Sequence, residues 1–152
     1  IYLDNKDQLG SMVPTVDFKK AVKTYQALSA AMSQGLVTSC HDISEGGLAV
    51  ALAEMAFAGG LGLTILLDRV PVEKKFPDYK ILFSESNSRL LIEVDPAQEA
   101  QLIKMLKGVS FSKIGTVETG PEMIVYGIKK DVVINAEINQ LKEIWKEPLL
   151  RL

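Results

Sequence analysis

The stretch from Thr38 to Gly60, TSCHDISEGGLAVALAEMAFAGG, constrains the fold of this chain more than any other. Residues 36–39 are predicted as a short buried strand and residues 41–47 as a polar turn. Residues 48–57 then form a helix apolar on nearly every side, interrupted mainly by Glu54. A helix of that kind has to be buried, so other elements must cover it. Ser44 is the predicted N-cap, and Glu45 places negative charge in the first turn, where the helix dipole favours it. Gly46 and Gly47 let a ligand approach backbone N–H groups that no helical carbonyl satisfies. Strand, glycine turn and buried helix in that order form a possible anion cradle. The same spacing also suits a plain strand-to-helix connection that needs glycine only for its geometry, which is the commoner arrangement.

Composition narrows the surroundings of that stretch. With 152 residues the chain suits one domain and can bury most of its apolar surface. Its 47% hydrophobic and 24% charged residues are ordinary for a soluble globular protein. A formal net charge of −2 leaves no basic face, so nucleic acid is not an expected partner. The longest apolar run, residues 48–57, is too short and too charged to span a bilayer, so no membrane partner is expected either. The opening Ile-Tyr-Leu-Asp carries no signal-peptide pattern, and the missing initiator methionine suggests a fragment or a processed chain. The lone Cys40 excludes an internal disulfide and fits a reducing cytoplasm. It is expected to be packed rather than nucleophilic, because the single histidine leaves no second one to activate it; a Cys/His zinc site lacks ligands.

The rest of the chain reads as alternating elements. Residues 14–35 are helical, capped by Thr15 or Asp17, with Phe18, Ala21, Val22, Tyr25, Leu28 and Met32 on one apolar face. Residues 61–67 form a strand inside a sheet, with Asp68 at its C-terminal end. A polar, Pro-bounded loop (70–79) leads through residues 81–83 into the polar cluster Ser84, Glu85, Ser86, Asn87, Ser88 and Arg89. Residues 90–94 are a strand, and Asp95-Pro96 opens a helix that packs Leu102, Ile103 and Leu106 and stops at Gly108. Strands are predicted over 111–117, 123–128 and 132–134. A last helix begins at Asn135 or Glu137 and presents Ile138, Leu141 and Trp145 to the core or to an interface. This order argues an α/β fold, an α+β sandwich with a mixed β-sheet flanked by helices. Residues 1–12 read as a strand end and connector, and residues 13–152 as the domain.

Three polar clusters stand at strand ends, where ligands of open α/β sheets tend to sit. They are His41 to Gly47, Asp68, and Ser84 to Arg89. If they converge, they supply turn amides for a phosphate, a carboxylate for Mg²⁺ and a polar wall for a sugar or amide. Each has a plainer reading. Asp68 suits a strand-terminating turn, Glu85 and Arg89 suit an i, i+4 ion pair, and His41 suits a turn histidine bonded to neighbouring backbone.

The run SCHDISEGGLAVALAEMAFAGGLG, followed by ILFSESNSRLLIEVD and FSKIGTV, resembles phosphoribosylformylglycinamidine synthase, the formylglycinamide ribonucleotide amidotransferase of purine biosynthesis. VPTVDFKKA and the terminal LKEIWKEPL extend the similarity over nearly the whole chain. Selenophosphate synthetase and thiamine-monophosphate kinase, in the same aminoimidazole ribonucleotide synthetase superfamily, match less well. The resemblance implies the last of four domains in a synthase subunit, with residues 1–12 as the tail of the preceding domain. It implies an ATP- and Mg²⁺-dependent C–N ligase that makes an amidine from formylglycinamide ribonucleotide and glutamine-derived ammonia. The partners it implies are the preceding domains, a separate glutaminase subunit and a small bridging subunit.

Residue by residue, the resemblance implies substrate- or nucleotide-binding positions at His41, Asp42, Ser44, Glu45, Gly46, Gly47, Glu85, Ser86 and Asn87, and a metal ligand at Asp68. The family's substrate-handling copy has Gln where this chain has His41 and Gln where it has Asn87. Those departures point to the pseudo-equivalent pocket, which in some members holds a nucleotide without turnover. Catalytic residues lie outside the resemblance, and the isolated chain is expected to be inactive. The alternative expectation is a non-catalytic nucleotide-binding or structural module that completes the pseudo-dimer.

Overall fold

The computed structural model describes residues 13–148. The predicted tail and connector over residues 1–12 lie outside them. Among the described residues the elements are α1 (Phe18–Ser33), β1 (Ser39–Asp42), α2 (Gly47–Gly59), β2 (Gly62–Leu66), a 3-10 turn (Leu67–Arg69), α3 (Asp78–Phe83), β3 (Leu90–Glu93), α4 (Glu99–Met105), β4 (Gly115–Glu118), β5 (Glu122–Tyr126), β6 (Val132–Glu137) and α5 (Ile138–Lys146). The mixed α/β character expected from the sequence is present. The described chain divides into two compact units, one of residues 13–51 and 84–111, the other of residues 52–83 and 112–148.

In the first unit, Asp17 caps α1, its carboxylate accepting from the amides of Lys19 and Lys20 at 3.1 Å each. The helix runs out at Gly35, whose φ of +69° suits glycine. Of the six residues predicted to form its apolar face, Ala21 and Leu28 are buried, with Ala31 beside them. Phe18, Val22, Tyr25 and Met32 are exposed. They lie beside Ala21 and Leu28 on the same apolar arc, along the edge that the unit's own core leaves uncovered. The core joins Ala31, Leu36, Leu102 and Leu106, with Ala27, Val37, Ile92, Val94 and Met105 packed on it. Ile103 faces solvent instead of this core. The strand predicted over 36–39 lies three residues further on: Leu36 is buried as a loop residue, and β1 pairs antiparallel with β3 from Ser39↔Glu93 to Asp42↔Leu90. Asp95 caps a turn through its carboxylate, 2.8 Å from the Ala97 amide, and α4 proper starts later, at Glu99.

The second unit is built on a four-stranded mixed sheet of order β4-β2-β5-β6. β2 runs parallel to β5 and antiparallel to β4, and β5 pairs antiparallel with β6. Strand β2 is interior to the sheet, as its two apolar faces predicted, and Leu63, Ile65, Met123 and Val125 are buried. β4 begins four residues later than the predicted strand, leaving Phe111 exposed. β6 extends three residues past its predicted end, so Asn135 is a strand residue and Glu137 starts α5. The Glu137 carboxylate accepts from the amides of Asn139 (3.1 Å) and Gln140 (2.9 Å). Trp145 donates its indole N–H to Glu54 at 3.0 Å and lies 5.6 Å, ring to ring, from Phe57. Helix α3 had no counterpart in the sequence reading; at six residues it is too short for a full apolar period to show.

Candidate functional site

The β1–β3 register explains how two clusters remote in sequence meet. Because Asp42 pairs with Leu90, the residue after one strand and the residue before the other must be neighbours. The Ile43 amide accordingly donates to the Arg89 carbonyl at 2.9 Å. The turn ahead of α2 and the loop of residues 84–89 therefore share one end of the hairpin-like pair.

A second link lies one turn further on. The Gly46 amide donates to Glu85 Oε1 at 2.9 Å. Gly46 and Gly47 both have positive φ, +75° and +67°. A Cβ on Gly46 would stand 2.2 Å from Val50 Cγ2, so this position admits only glycine on two separate grounds. Gly47 donates to the Ser44 carbonyl at 3.0 Å. Two expectations change here. Helix α2 begins at Gly47, so Ser44 contributes a turn carbonyl instead of a side-chain cap. Glu45 precedes the helix, whose first turn holds no acid. The carboxylate placed by the fold at this helix start comes from Glu85.

The remaining members of the two clusters are tied down locally. His41 Nδ1 lies 2.6 Å from the Asp42 carbonyl and 3.6 Å from Asp42 Oδ1. His41 is bonded to neighbouring backbone as the plainer reading expected, but from strand β1 and not from a turn, because β1 runs on to Asp42. The Ser84 and Ser86 hydroxyls are 2.9 Å apart, and Asn87 donates through Nδ2 to the Pro14 carbonyl at 3.2 Å. Arg89 donates to the Ser84 carbonyl at 3.0 Å, closing the loop on itself, and burial lowers the pKa of its guanidinium. Ser86 and Asn87 are exposed at the loop tip. Cys40 is exposed, against the expectation of a packed thiol, because in β1 its side chain falls on the open side of the strand alternation. Partial burial, and then the charge of Asp42, raise its pKa.

Asp68 belongs to the second unit. It sits in the 3-10 turn after β2, and its carboxylate is held by the Lys130 ammonium. That bond holds its pKa below the usual carboxylate value. Lys130 occupies a left-handed turn, φ +67°, between β5 and β6. Asp78 accepts from the Ile128 amide at 2.9 Å and braces the same turn. Sequence reasoning missed both Lys130 and Asp78; the only signal was the Gly-Ile-Lys-Lys-Asp turn between two predicted strands. Among the described residues no group of three or more His, Cys, Asp or Glu could hold a metal ion. Magnesium does not fit Asp68 as the structure holds it, because an ammonium already neutralises the one carboxylate offered. The Gly46 amide does fit an anionic oxygen, since the Glu85 carboxylate occupies that position.

Residues 2–128 match the family described as AIR synthase related protein, C-terminal domain. The subunit PurL of phosphoribosylformylglycinamidine synthase from Deinococcus radiodurans is 36% identical over 137 residues, 90% of this chain and 18% of that protein. The chain thus spans under a fifth of the length of that relative. Among solved structures, T. maritima PurL complexed with ATP superimposes with a TM-score of 0.71 at 25% identity, covering 78% of this chain and 21% of that one. The structure of PurLQS from Thermotoga maritima gives a TM-score of 0.76 at 24% identity, covering 86% of this chain and 23% of that one, a likeness of fold.

Proposed function

We propose the function that follows from one fact: the chain belongs to the AIR synthase related protein family, whose C-terminal domain it carries over residues 2–128. It serves as the C-terminal domain of the synthase subunit of a phosphoribosylformylglycinamidine synthase. The parent protein is a cytoplasmic ATP- and Mg²⁺-dependent C–N ligase. It converts formylglycinamide ribonucleotide and glutamine-derived ammonia to the amidine, alongside a glutaminase subunit and a small bridging subunit. The structure adds support in the junction of the two motifs, held by Gly46 to Glu85 and Ile43 to Arg89.

Within the parent, His41, Asp42, Ser44, Glu45, Gly46, Gly47, Glu85, Ser86 and Asn87 are the residues proposed to face substrate or nucleotide; Asp68, the expected metal ligand, is held by Lys130 and is not proposed as one. A bound nucleotide supplies phosphate oxygens, and one of these would meet the Gly46 amide only by displacing Glu85. The chain's own residues preorganise that turn; they hold no proton at a reacting atom. Two observations favour a structural part for this domain over a catalytic one: the Gly46 and Gly47 amides have internal acceptors, and Asp68 has an internal cation.

Steady-state kinetics of the intact synthase test the reading. Substitution of His41, Asp68 or Glu85 is expected to lower stability or assembly while leaving kcat/KM within an order of magnitude. A fall by several orders with stability unchanged would make the domain catalytic. The isolated chain given ATP, substrate and ammonia is expected to form no amidine, and amidine formation would refute the division of labour.

A further inference from the structure

We infer that Lys130 is the resident cation of the rim at the carboxyl ends of β2 and β5, standing where the sequence pointed to a divalent metal and keeping that metal out. The inference concerns side chains of this chain alone and does not depend on the functional reading above. Among the described residues β2 and β5 are the strands that pair parallel, from Leu63↔Met123 to Leu66↔Tyr126. Open sheets take ligands at the carboxyl ends of such strands. At that end β2 leads into the 3-10 turn with Asp68, and β5 leads into the turn of residues 127–131.

The rim is acidic. Asp78 accepts from the Ile128 amide, and a Cβ on Gly127 would stand 2.7 Å from Asp78 Oδ2 and 3.1 Å from Asp131 Oδ1. Carboxylates gathered in this way favour a cation among them. The Lys130 ammonium supplies it at Asp68, and Arg69 adds a second positive charge to the same carboxylate. A magnesium ion would have to expel the ammonium and then sit near the guanidinium, with a single carboxylate to hold it.

The backbone of Lys130 shows that its side chain is not incidental. Its φ of +67° is a left-handed conformation that glycine or asparagine enters at lower cost. The turn itself is fixed without the ammonium: Gly127 donates to the Asp131 carbonyl at 2.8 Å, Lys130 donates to the Gly127 carbonyl at 3.0 Å, and Asp78 holds Ile128. A lysine kept where its backbone is strained, in a turn closed by other bonds, is explained by the carboxylate it reaches.

Titration of the full chain with Mn²⁺, read as paramagnetic broadening of backbone amide resonances, tests the assignment. Amides of residues 67–69 are expected to broaden several-fold less than that of the exposed Glu122, which serves as the internal reference. Lys130→Gly removes the ammonium and relieves the left-handed backbone, so it is expected to fold and to raise broadening at residues 67–69 several-fold. Lys130→Arg keeps the charge and is expected to behave as the wild type. Wild-type broadening at Asp68 equal to or above that at Glu122 overturns the inference. So does an unchanged pattern in Lys130→Gly, and so does a rise in Lys130→Arg as large as that in Lys130→Gly, because the positive charge is then not what excludes the metal.

Discussion

Helices α5 and α2 both begin against a carboxylate, and the two carboxylates arrive by different routes. At α5 the group is Glu137, which bonds the amides two and three residues ahead of it. At the turn entering α2 it is Glu85, 39 residues away along the chain. Both satisfy N–H groups that a helix start leaves without partners. The local cap stabilises only its own helix. The remote cap also holds a loop against a turn, so it organises a surface as well as a helix end. The difference teaches that the same hydrogen bond is a folding device in one place and a site-building device in another.

The comparison can be broken most sharply at Gly46. Gly46→Ala forces a side chain into positive φ and into Val50, and is expected to cost about 3 kcal/mol in chemical denaturation. A loss within error of zero would mean that the turn relaxes and that the Glu85 link is not fixed by it. Glu85→Ala is expected to cost about 1 kcal/mol, and to raise amide exchange both at Gly46 and across residues 84–89. If exchange changed at Gly46 alone, the remote cap would be no different in kind from the local one.

Glu137→Ala should be narrower, speeding exchange in the first turn of α5 and leaving the sheet unaffected. The hydrogen bonds from Asn139 and Gln140 hold the Glu137 carboxyl below the usual glutamate value. Its stabilising contribution is therefore present above the unfolded pKa and lost as pH falls through the folded one. Acid titration of α5 helicity should show that loss below the ordinary glutamate range, and Glu137→Gln should abolish it. The smallest expected effect is at Cys40, where a raised pKa leaves less thiolate. Its reaction with a disulfide reagent near neutral pH should be slower than that of a cysteine in a short peptide, and Asp42→Asn should quicken it. A faster wild-type reaction would contradict the geometry around β1.

Much of the fold was legible in particular residues. The apolar character of residues 48–57, broken only by Glu54, announced α2; Asp17 and Glu137 were each one of two candidates for a helix start, and the apolar faces of β2 announced an interior strand. The candidate site was legible in part. The Gly46-Gly47 turn and the 84–89 cluster were both singled out, but not the bond between them. Lys130 opposite Asp68 was missed altogether, as were the exposure of Cys40 and of one edge of α1's apolar face.

Sequence by itself determined local features of this protein: the apolar helix of residues 48–57, a glycine turn ahead of it, and carboxylates able to cap their own helices. Such features depend on dihedral preferences and on partners a few residues away, and these are written in the chain at short range. Tertiary structure alone decided that Glu85 reaches Gly46, that Lys130 holds Asp68, and how much of α1's apolar face the core covers. Those outcomes depend on strand register and on the direction in which each element packs, and a hydrogen bond between distant residues leaves no periodic trace.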